Sequence, residues 1–495
     1  MSYFLSGFHS LSPQLLVVLI SGAMGGVVLG AIPGLGPAIA VAVLLPVSFT
    51  MEPLMGLSLL LGVYSASVYG GAVPAILINT PGTAVNVLTT FDGYPLARRG
   101  EARRALGLAY SASFIGGMVS ILALTVLSHP LARIAATFTS ADYAAAAFLG
   151  LALVTLAQKG EIVAGLMMLG LGMFLSTIGF EKVFTSQRFT MDIEFLRGGI
   201  PLVPAVLGLF AISQAFSLIS GQVPPTRKAT ARRSTLKELL EVFRYPVTLF
   251  RSSGLGVMMG VLPGVGEWMA QFFSYELARR GSKTPEQFGD GAPEGLIAAE
   301  AANNAVPASA MVPLLSLGIP GEALTAMMMS VFLVHNVFPG PTLFETRPDF
   351  IGGLYVSMFL VNIFAVVFLY AITPWLIRIC HLDQRIIGVV IFPLVLVGAY
   401  SINYNIVDCY IALAFGLFGF AFKMADLPTA PILIGMILGP IFENRFRQAM
   451  SIANGDWSIF VTRPVSLALL CIAALILLAY FYTSVKERKR HETEH

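Results

Sequence analysis

The run Asn303-Asn304-Ala305-Val306-Pro307-Ala308-Ser309-Ala310-Met311-Val312-Pro313-Leu314-Leu315-Ser316-Leu317-Gly318-Ile319-Pro320-Gly321 lies inside a long apolar region, yet it carries three prolines, two glycines, paired asparagines and two serines. A lipid-facing helix has no use for that mixture. In hydrocarbon each unpaired backbone N–H or C=O costs several kcal/mol, roughly, so irregular backbone persists only where protein or a water-filled cavity covers it. The run predicts a discontinuous helical element lining a cavity.

The rest of the chain supports a membrane setting. Of 495 residues, 56% are hydrophobic and 12% charged, against about 25% charged in a soluble protein. The mean hydropathy is +0.80. Apolar runs of span length recur at 15–32, 54–69, 105–127, 350–372, 406–422 and 464–482. Together with the broken segments they predict an all-α polytopic membrane protein of roughly 10–12 membrane elements. The first residues lack the basic region of a signal peptide, so 15–32 is read as a retained span, with a cleaved signal as the alternative. The 48 glycines suit close helix packing and helix breaks.

Two motifs recur in order. Gly30-Ala-Ile-Pro33-Gly34-Leu-Gly36 returns as Gly260-Val-Leu-Pro263-Gly264-Val-Gly266, at an offset of 230 (263 − 33). Asn79-Thr80-Pro81-Gly82-Thr83 is answered by Gly318-Ile-Pro320-Gly321-Glu322, at an offset of 239 (320 − 81). The basic flank changes ends between the copies. No Lys or Arg precedes the first Pro-Gly-x-Gly, whereas a basic segment ending at Arg251 precedes the second; Arg98, Arg99, Arg103 and Arg104 follow the first Pro-Gly-Thr, and only Arg347 occupies the matching loop of the second copy. Because lysine and arginine in short loops stay cytoplasmic, this predicts two inverted-topology repeats with broken, re-entrant hairpins. The expected division is 1–220 for the first half, 221–250 for a basic cytoplasmic linker, 251–380 for the second half, and 381–495 for C-terminal transmembrane helices and tail. The N-terminus is then periplasmic and the C-terminus, with Lys486, Arg488, Lys489 and Arg490, cytoplasmic. The segment 181–197 mixes both signs and has no assigned place.

An interrupted helix offers backbone N–H groups to anions at one new end and C=O groups to cations at the other. Two such breaks facing each other predict a substrate site at Thr80, Pro81, Gly82, Thr83, Asn86, Asn303, Asn304, Ser309, Pro320 and Gly321, with Thr89 as a further neutral group. Ion coupling is expected at Gly34, Gly36, Gly264, Gly266 and Glu300, since an ionisable residue at membrane depth is a functional candidate. The alternative is that the glycines are packing contacts and the Asn and Thr side chains join helices. Glu322, just after Pro320-Gly321, reads as a helix N-cap.

Enzymatic signals are weak. There is no Walker A run and no His-Glu-x-x-His, the six histidines are scattered, and Cys380, Cys409 and Cys471 form no ligand spacing. No catalytic residue, cofactor or metal is expected beyond Na⁺ or H⁺ as a coupling ion. Gly289-Asp290-Gly291 resembles a fragment of an intramembrane aspartyl protease motif but lacks a partner aspartate. Nucleic-acid binding has no support beyond loop arginines.

Several stretches resemble the large membrane subunit (TctA-like) of tripartite tricarboxylate transporters. They are 30–36, Tyr69-Gly-Gly, Asn79-Thr-Pro-Gly-Thr, Asp92-Gly-Tyr-Pro-Leu-Ala-Arg-Arg-Gly and Ala105-Leu-Gly, then Pro263-Gly-Val-Gly-Glu, Pro293-Glu-Gly, Ala299-Glu-Ala-Ala-Asn-Asn-Ala, Leu317-Gly-Ile-Pro-Gly, Ala430-Pro-Ile-Leu-Ile-Gly and Leu438-Gly-Pro. The resemblance spans nearly the whole chain and departs modestly at Ala299 and at Val306-Pro307. It implies a secondary transporter of a bacterial inner membrane, working with a small four-helix membrane subunit and a periplasmic solute-binding protein. A sodium or proton gradient would drive uptake of citrate or other organic carboxylates. A binding-protein-independent anion transporter or antiporter, and an intramembrane hydrolase, are the rival readings. An elevator-like movement of the motif-bearing core is also expected. Replacing Gly82 or Gly321 by Leu is expected to abolish uptake in vesicles while membrane insertion persists; wild-type rates from both would remove this site assignment.

Overall fold

Ser12 opens the first long helix: its hydroxyl accepts from the backbone N–H of Leu15 at 3.1 Å, and Pro13 supplies the preset φ of a first helical position. The helix, α1 (Pro13–Ala31), is followed by α2 (Pro37–Phe49), α3 (Pro53–Ile78), α4 (Val87–Leu96) and α5 (Ala102–Ala135). Next come α6 (Ser140–Leu156), α7 (Ile162–Ser176) and α8 (Leu202–Ile219). The second series is α9 (Pro246–Val261), α10 (Gly266–Gly281), α11 (Pro293–Asn304), α12 (Val306–Ser309), α13 (Met311–Leu317), α14 (Ala323–Val334) and α15 (Pro348–Ile379). The chain closes with α16 (Gln384–Asn403), α17 (Ile406–Met424), α18 (Ala430–Ile452) and α19 (Pro464–Thr493). This computed structural model describes residues 2–32, 35–80, 84–156, 162–181, 186–221, 235–263, 266–379 and 384–493. Among them the only strands are Gly179–Phe180 and Gln187–Arg188, a two-residue antiparallel pair.

Six of these helical stretches are long and apolar enough to cross a bilayer, and six shorter apolar helices of 10–17 residues accompany them. Large apolar side chains stand outward on them, including Val17, Leu122, Val163, Val367 and Leu475, all at least 60% exposed. Such a surface is stable against lipid, not water. The protein is an all-α polytopic membrane protein. The α3 helix lies at the centre and is buried along nearly its whole length.

Glycine sets how closely the long helices approach. Gly26 and Gly30 of α1 let it press on α3, where a Cβ would collide with the carbonyls of Val63 and Ser67. In α9, Gly256 and Gly260 let it press on α11 and α12; a Cβ there would collide with the Ala302 carbonyl and the Ser309 hydroxyl. Both pairs have the small-x-x-x-small spacing that permits backbone contact in membranes, and both are displaced by 230 residues (256 − 26, 260 − 30). The breaks after α3 and α13 also share a form. Asn79 and Gly318 take left-handed φ values of 54° and 69°. The next N–H, of Thr80 or Ile319, reaches back at 3.4 Å to the carbonyl of a proline, Pro74 or Pro313. A left-handed cap of this kind satisfies carbonyls that the helix end leaves free.

Packing between the two series is reciprocal. Helix α5 packs on α9 and α11, and α15 packs on α1 and α3. Likewise α4 packs on α11 and α10, while α14 packs on α3 and α2. The later helices form a flank in which α18 packs on α6 and α7, and α17 on α8 and α16. Of the segment between the two series, residues 220–221 and 235–245 are described: a short helix, Leu236–Leu240, and a turn, Glu241–Arg244, lie against the start of α5 through Arg104–Glu241 (2.7 Å) and Arg103–Glu238 (3.7 Å).

Substituting Gly30 or Gly260 by Ala is expected to destabilise the protein by about 1–3 kcal/mol through overpacking. Gly25→Ala and Gly254→Ala, where a Cβ meets nothing within 4 Å, serve as controls and should be neutral or slightly stabilising. Thermal unfolding in detergent separates the two sets.

Candidate substrate and ion site

Glu300 is fully buried on α11 in the middle of the bundle. Thr89 of α4 donates to its Oε1 at 2.5 Å and Asn86 to the same atom at 3.5 Å, while Ser113 of α5 donates to Oε2 at 2.8 Å and Asn304, one turn on, at 3.3 Å. A buried carboxylate is tolerated when hydrogen bonds replace its hydration, and this one has four side-chain donors. Asn86 also donates to Val68 O of α3 (3.3 Å), and Asn303 donates to Val85 O (3.0 Å) just before α4. Side chains around Glu300 thus join α3, α4, α5 and α11 into one polar layer.

The carbonyl oxygens Oδ1 of Asn303 and Asn304 are buried and accept no hydrogen bond from the protein. Ser65 Oγ on α3 is in the same position. Ser65 and Asn304 line a small cavity of about 10 Å³ with Tyr69, Pro307 and Asn362, room for about one water molecule. The Tyr69 hydroxyl donates to Asn362 Oδ1, and Asn362 donates to Phe114 O at 3.1 Å. Asn362 escaped the sequence reading although a lone asparagine within the apolar run 350–372 was a visible signal.

The predicted residues are distributed as follows. Asn86, Asn303, Asn304 and Glu300 meet in the polar layer. Ser309 is buried and turned inward: its N–H donates to Ser120 Oγ at 2.8 Å and its hydroxyl to Ala305 O at 2.7 Å. Thr80 is half-buried at the end of α3, its hydroxyl 3.4 Å from Ile78 O. Pro320 and Gly321 are buried in the break before α14, where a Cβ on Gly321 would stand 3.2 Å from the carbonyls of Gly260 and Ala310. Gly36 caps the start of α2, and Gly266 opens α10 with a left-handed φ of 68°. Pro81, Gly82, Thr83, Gly34 and Gly264 lie outside the described residues. The paired asparagines end a helix rather than a loop, and the irregular backbone falls at 318–322.

Beside Gly321 is a second buried group. Glu322 is the N-cap of α14; the Thr325 hydroxyl receives its N–H at 2.9 Å, and the Tyr64 hydroxyl of α3 donates to its Oε1. Glu267, in the first turn of α10, faces Tyr64 and Glu322.

A fourth carboxylate anchors the hairpin ends. Asp92 of α4 is fully buried. Its Oδ1 accepts the backbone N–H groups of Gly289 (2.9 Å), Gly291 (2.9 Å) and Ala292 (2.8 Å), and its Oδ2 accepts the Tyr275 hydroxyl at 2.8 Å. The left-handed φ of Gly289 and Gly291, 91° and 98°, turns those N–H groups into an anion-binding nest. The Gly289-Asp290-Gly291 run is therefore a receptor for Asp92, with Arg99–Asp290 at 2.8 Å on its outer side.

A lipid-facing bundle whose interrupted helices enclose carboxylates and amides belongs to the membrane transporters. Over residues 16–434 the chain matches the Tripartite tricarboxylate transporter TctA family, and it belongs to that family. An uncharacterized 52.8 kDa protein of Agrobacterium vitis, described by its position in the TAR-I ttuC' 3'region, is 33% identical over 492 residues, 98% of this chain and 96% of the relative. An uncharacterized protein of the same organism, from the TAR-II ttuC' 3'region, is 32% identical over 234 residues, 47% of this chain and 97% of the relative. No solved structure matches.

Asp92→Ala strands three backbone N–H groups and is expected to cost about 3–5 kcal/mol, the scale of a broken buried ionic contact. Asp92→Asn keeps one acceptor oxygen for them and should cost less. Amide hydrogen exchange at 289–292 is the check: protection falls in the alanine variant and largely survives in the asparagine variant.

Proposed function

We propose that this chain is the large membrane subunit of a cation-gradient-driven importer of organic carboxylates, citrate-like acids among them. A periplasmic binding protein delivers the substrate, and a small four-helix subunit completes the complex in a bacterial inner membrane. The observation that carries the reading is the polar layer at Glu300, in which Asn303 and Asn304 hold buried carbonyl oxygens without protein partners, in a bundle with two helix breaks of the same form. The chemistry suits a ligand with hydroxyl or protonated carboxyl donors on one side, and the start of α4, whose helix N-terminus carries no acid, suits its anionic end. Membership of the family supplies the class of cargo.

The same reading makes 1–220 and 251–380 inverted repeats. Its support is the reciprocal packing of α5 with α9 and α11 and of α15 with α1 and α3, the paired glycine contacts, and the basic residues that change flank. It also places the N-terminus in the periplasm and the C-terminus in the cytoplasm. Relative movement of this core against the flank of α16–α19 would carry the site across the bilayer.

The test is uptake of labelled carboxylates by the reconstituted complex. Accumulation is expected only with an imposed Na⁺ or proton gradient and with the binding protein present. Asn304→Ala, which removes both the unpartnered oxygen and the donor to Glu300, should lower uptake at least tenfold. Uptake that is unchanged when the binding protein is omitted overturns the tripartite reading.

A further inference from the structure

Glu300 and the Glu267–Glu322 pair are built on opposite principles. Glu300 receives hydrogen bonds from Thr89, Asn86, Ser113 and Asn304, so its charge is already met by the protein. Glu267 and Glu322 are also buried, 4% and 9% exposed, but they face each other across the single hydroxyl of Tyr64. Glu267 Oε1 meets no donor. One turn further along the same buried face of α10 is Gln271, fully buried, with neither its oxygen nor its nitrogen hydrogen-bonded. Helical side chains lean toward the helix N-terminus, which directs Gln271 over the turn that carries Glu267. Gly266, left-handed at 68°, brings the start of α10 so close that a Cβ there would lie 3.5 Å from Glu322 Oε2.

Among the described residues no cation serves this pair. Helices α2, α3 and α14 carry no charged side chain. On α9 the only one is Arg251, at the opposite end; on α10 the remainder are Glu276, Arg279 and Arg280, two or more turns away. On α11 they are Glu294 and Glu300, and on α4 only Asp92, held by its own nest. On α18, which also packs against α14, Glu443 is paired with Arg188 and Arg447, and Arg445 lies over the ring of Tyr143 on α6. Two adjacent carboxylates in a dry interior cannot both stay ionised without a positive partner.

We propose that Glu267 and Glu322, with the hydroxyl of Tyr64 and the side chain of Gln271, hold the coupling cation, and that Glu300 is a fastener of the substrate layer instead. The cation is a shared proton or a Na⁺ ion; both satisfy the same oxygen cluster. The site joins the starts of α10 and α14 to α3, so filling it neutralises the junction of those three helices. The word coupling rests on the transport reading above, whereas the existence of the site does not.

The test therefore reads cation binding directly, with the full chain in lipid nanodiscs. Thermal unfolding is compared in NaCl and in choline chloride at equal ionic strength, and proton uptake is followed with a pH indicator between about pH 5 and 8. Wild-type protein is expected to show either a Na⁺-dependent rise in unfolding temperature or uptake of a proton. That response should be lost in Glu267→Gln and Glu322→Gln and kept, at a shifted midpoint, in Glu267→Asp and Glu322→Asp. Glu300→Gln should lower the unfolding temperature in both salts alike. A wild-type response in both Gln variants, a loss confined to Glu300→Gln, or no response to either cation in the wild type overturns the proposal. If the response maps to the pair but the reconstituted complex shows no gradient-driven uptake, the site stands and the transport reading fails.

Discussion

The interior polar groups of this bundle have almost no water to turn to, and the hydrogen bonds to Glu300 show how the fold answers that constraint. Donors from α4, α5 and α11 converge on one carboxylate. The same asparagines that serve it reach Val68 of α3 and Val85 before α4. Removing the carboxylate would leave those donors stranded, and removing the donors would leave a buried charge, so each side requires the other. The helices that carry them are held in register by that mutual requirement, because lipid provides little hydrophobic drive between helices.

Close backbone approach is the second ingredient. At Gly26, Gly30, Gly256 and Gly260 the helices meet at distances no Cβ would allow, and each contact stands just before a Pro-Gly-x-Gly segment. The break can then be covered by its neighbour instead of by lipid, as irregular backbone at this depth demands. The Ser309 hydroxyl lies against Gly260 and is satisfied by the Ala305 carbonyl. A residue with the chemistry of a ligand contact is in this way consumed by packing.

Four buried carboxylates, in three sites, solve the desolvation problem differently. Asp92 uses a nest of backbone N–H groups and a tyrosine, Glu300 uses neutral side chains, and Glu267 and Glu322 have only the hydroxyl of Tyr64 between them. The first two are closed sets of hydrogen bonds. The third leaves an oxygen of Glu267 and the whole amide of Gln271 without partners, which is why the proposed exchange of a cation falls there.

The sequence alone was enough for the helical membrane class, the family, the recurrence of two motifs and several members of the polar layer, Asn86, Asn303, Asn304 and Glu300. These were legible because hydropathy and proline-glycine breaks are local properties, and because a polar residue in an apolar run has few reasons to exist. Only the tertiary structure decided which polar residues meet. It joined Asp92 to the Gly289–Gly291 turn, paired Tyr69 with Asn362 across nearly 300 residues (293), turned Ser309 into a packing contact, and moved Glu322 from a helix cap alone to one half of an acid pair. Those outcomes depend on which helix faces which, and partner choice between helices is set by shape and by hydrogen-bond completion over the whole bundle, which no local pattern encodes.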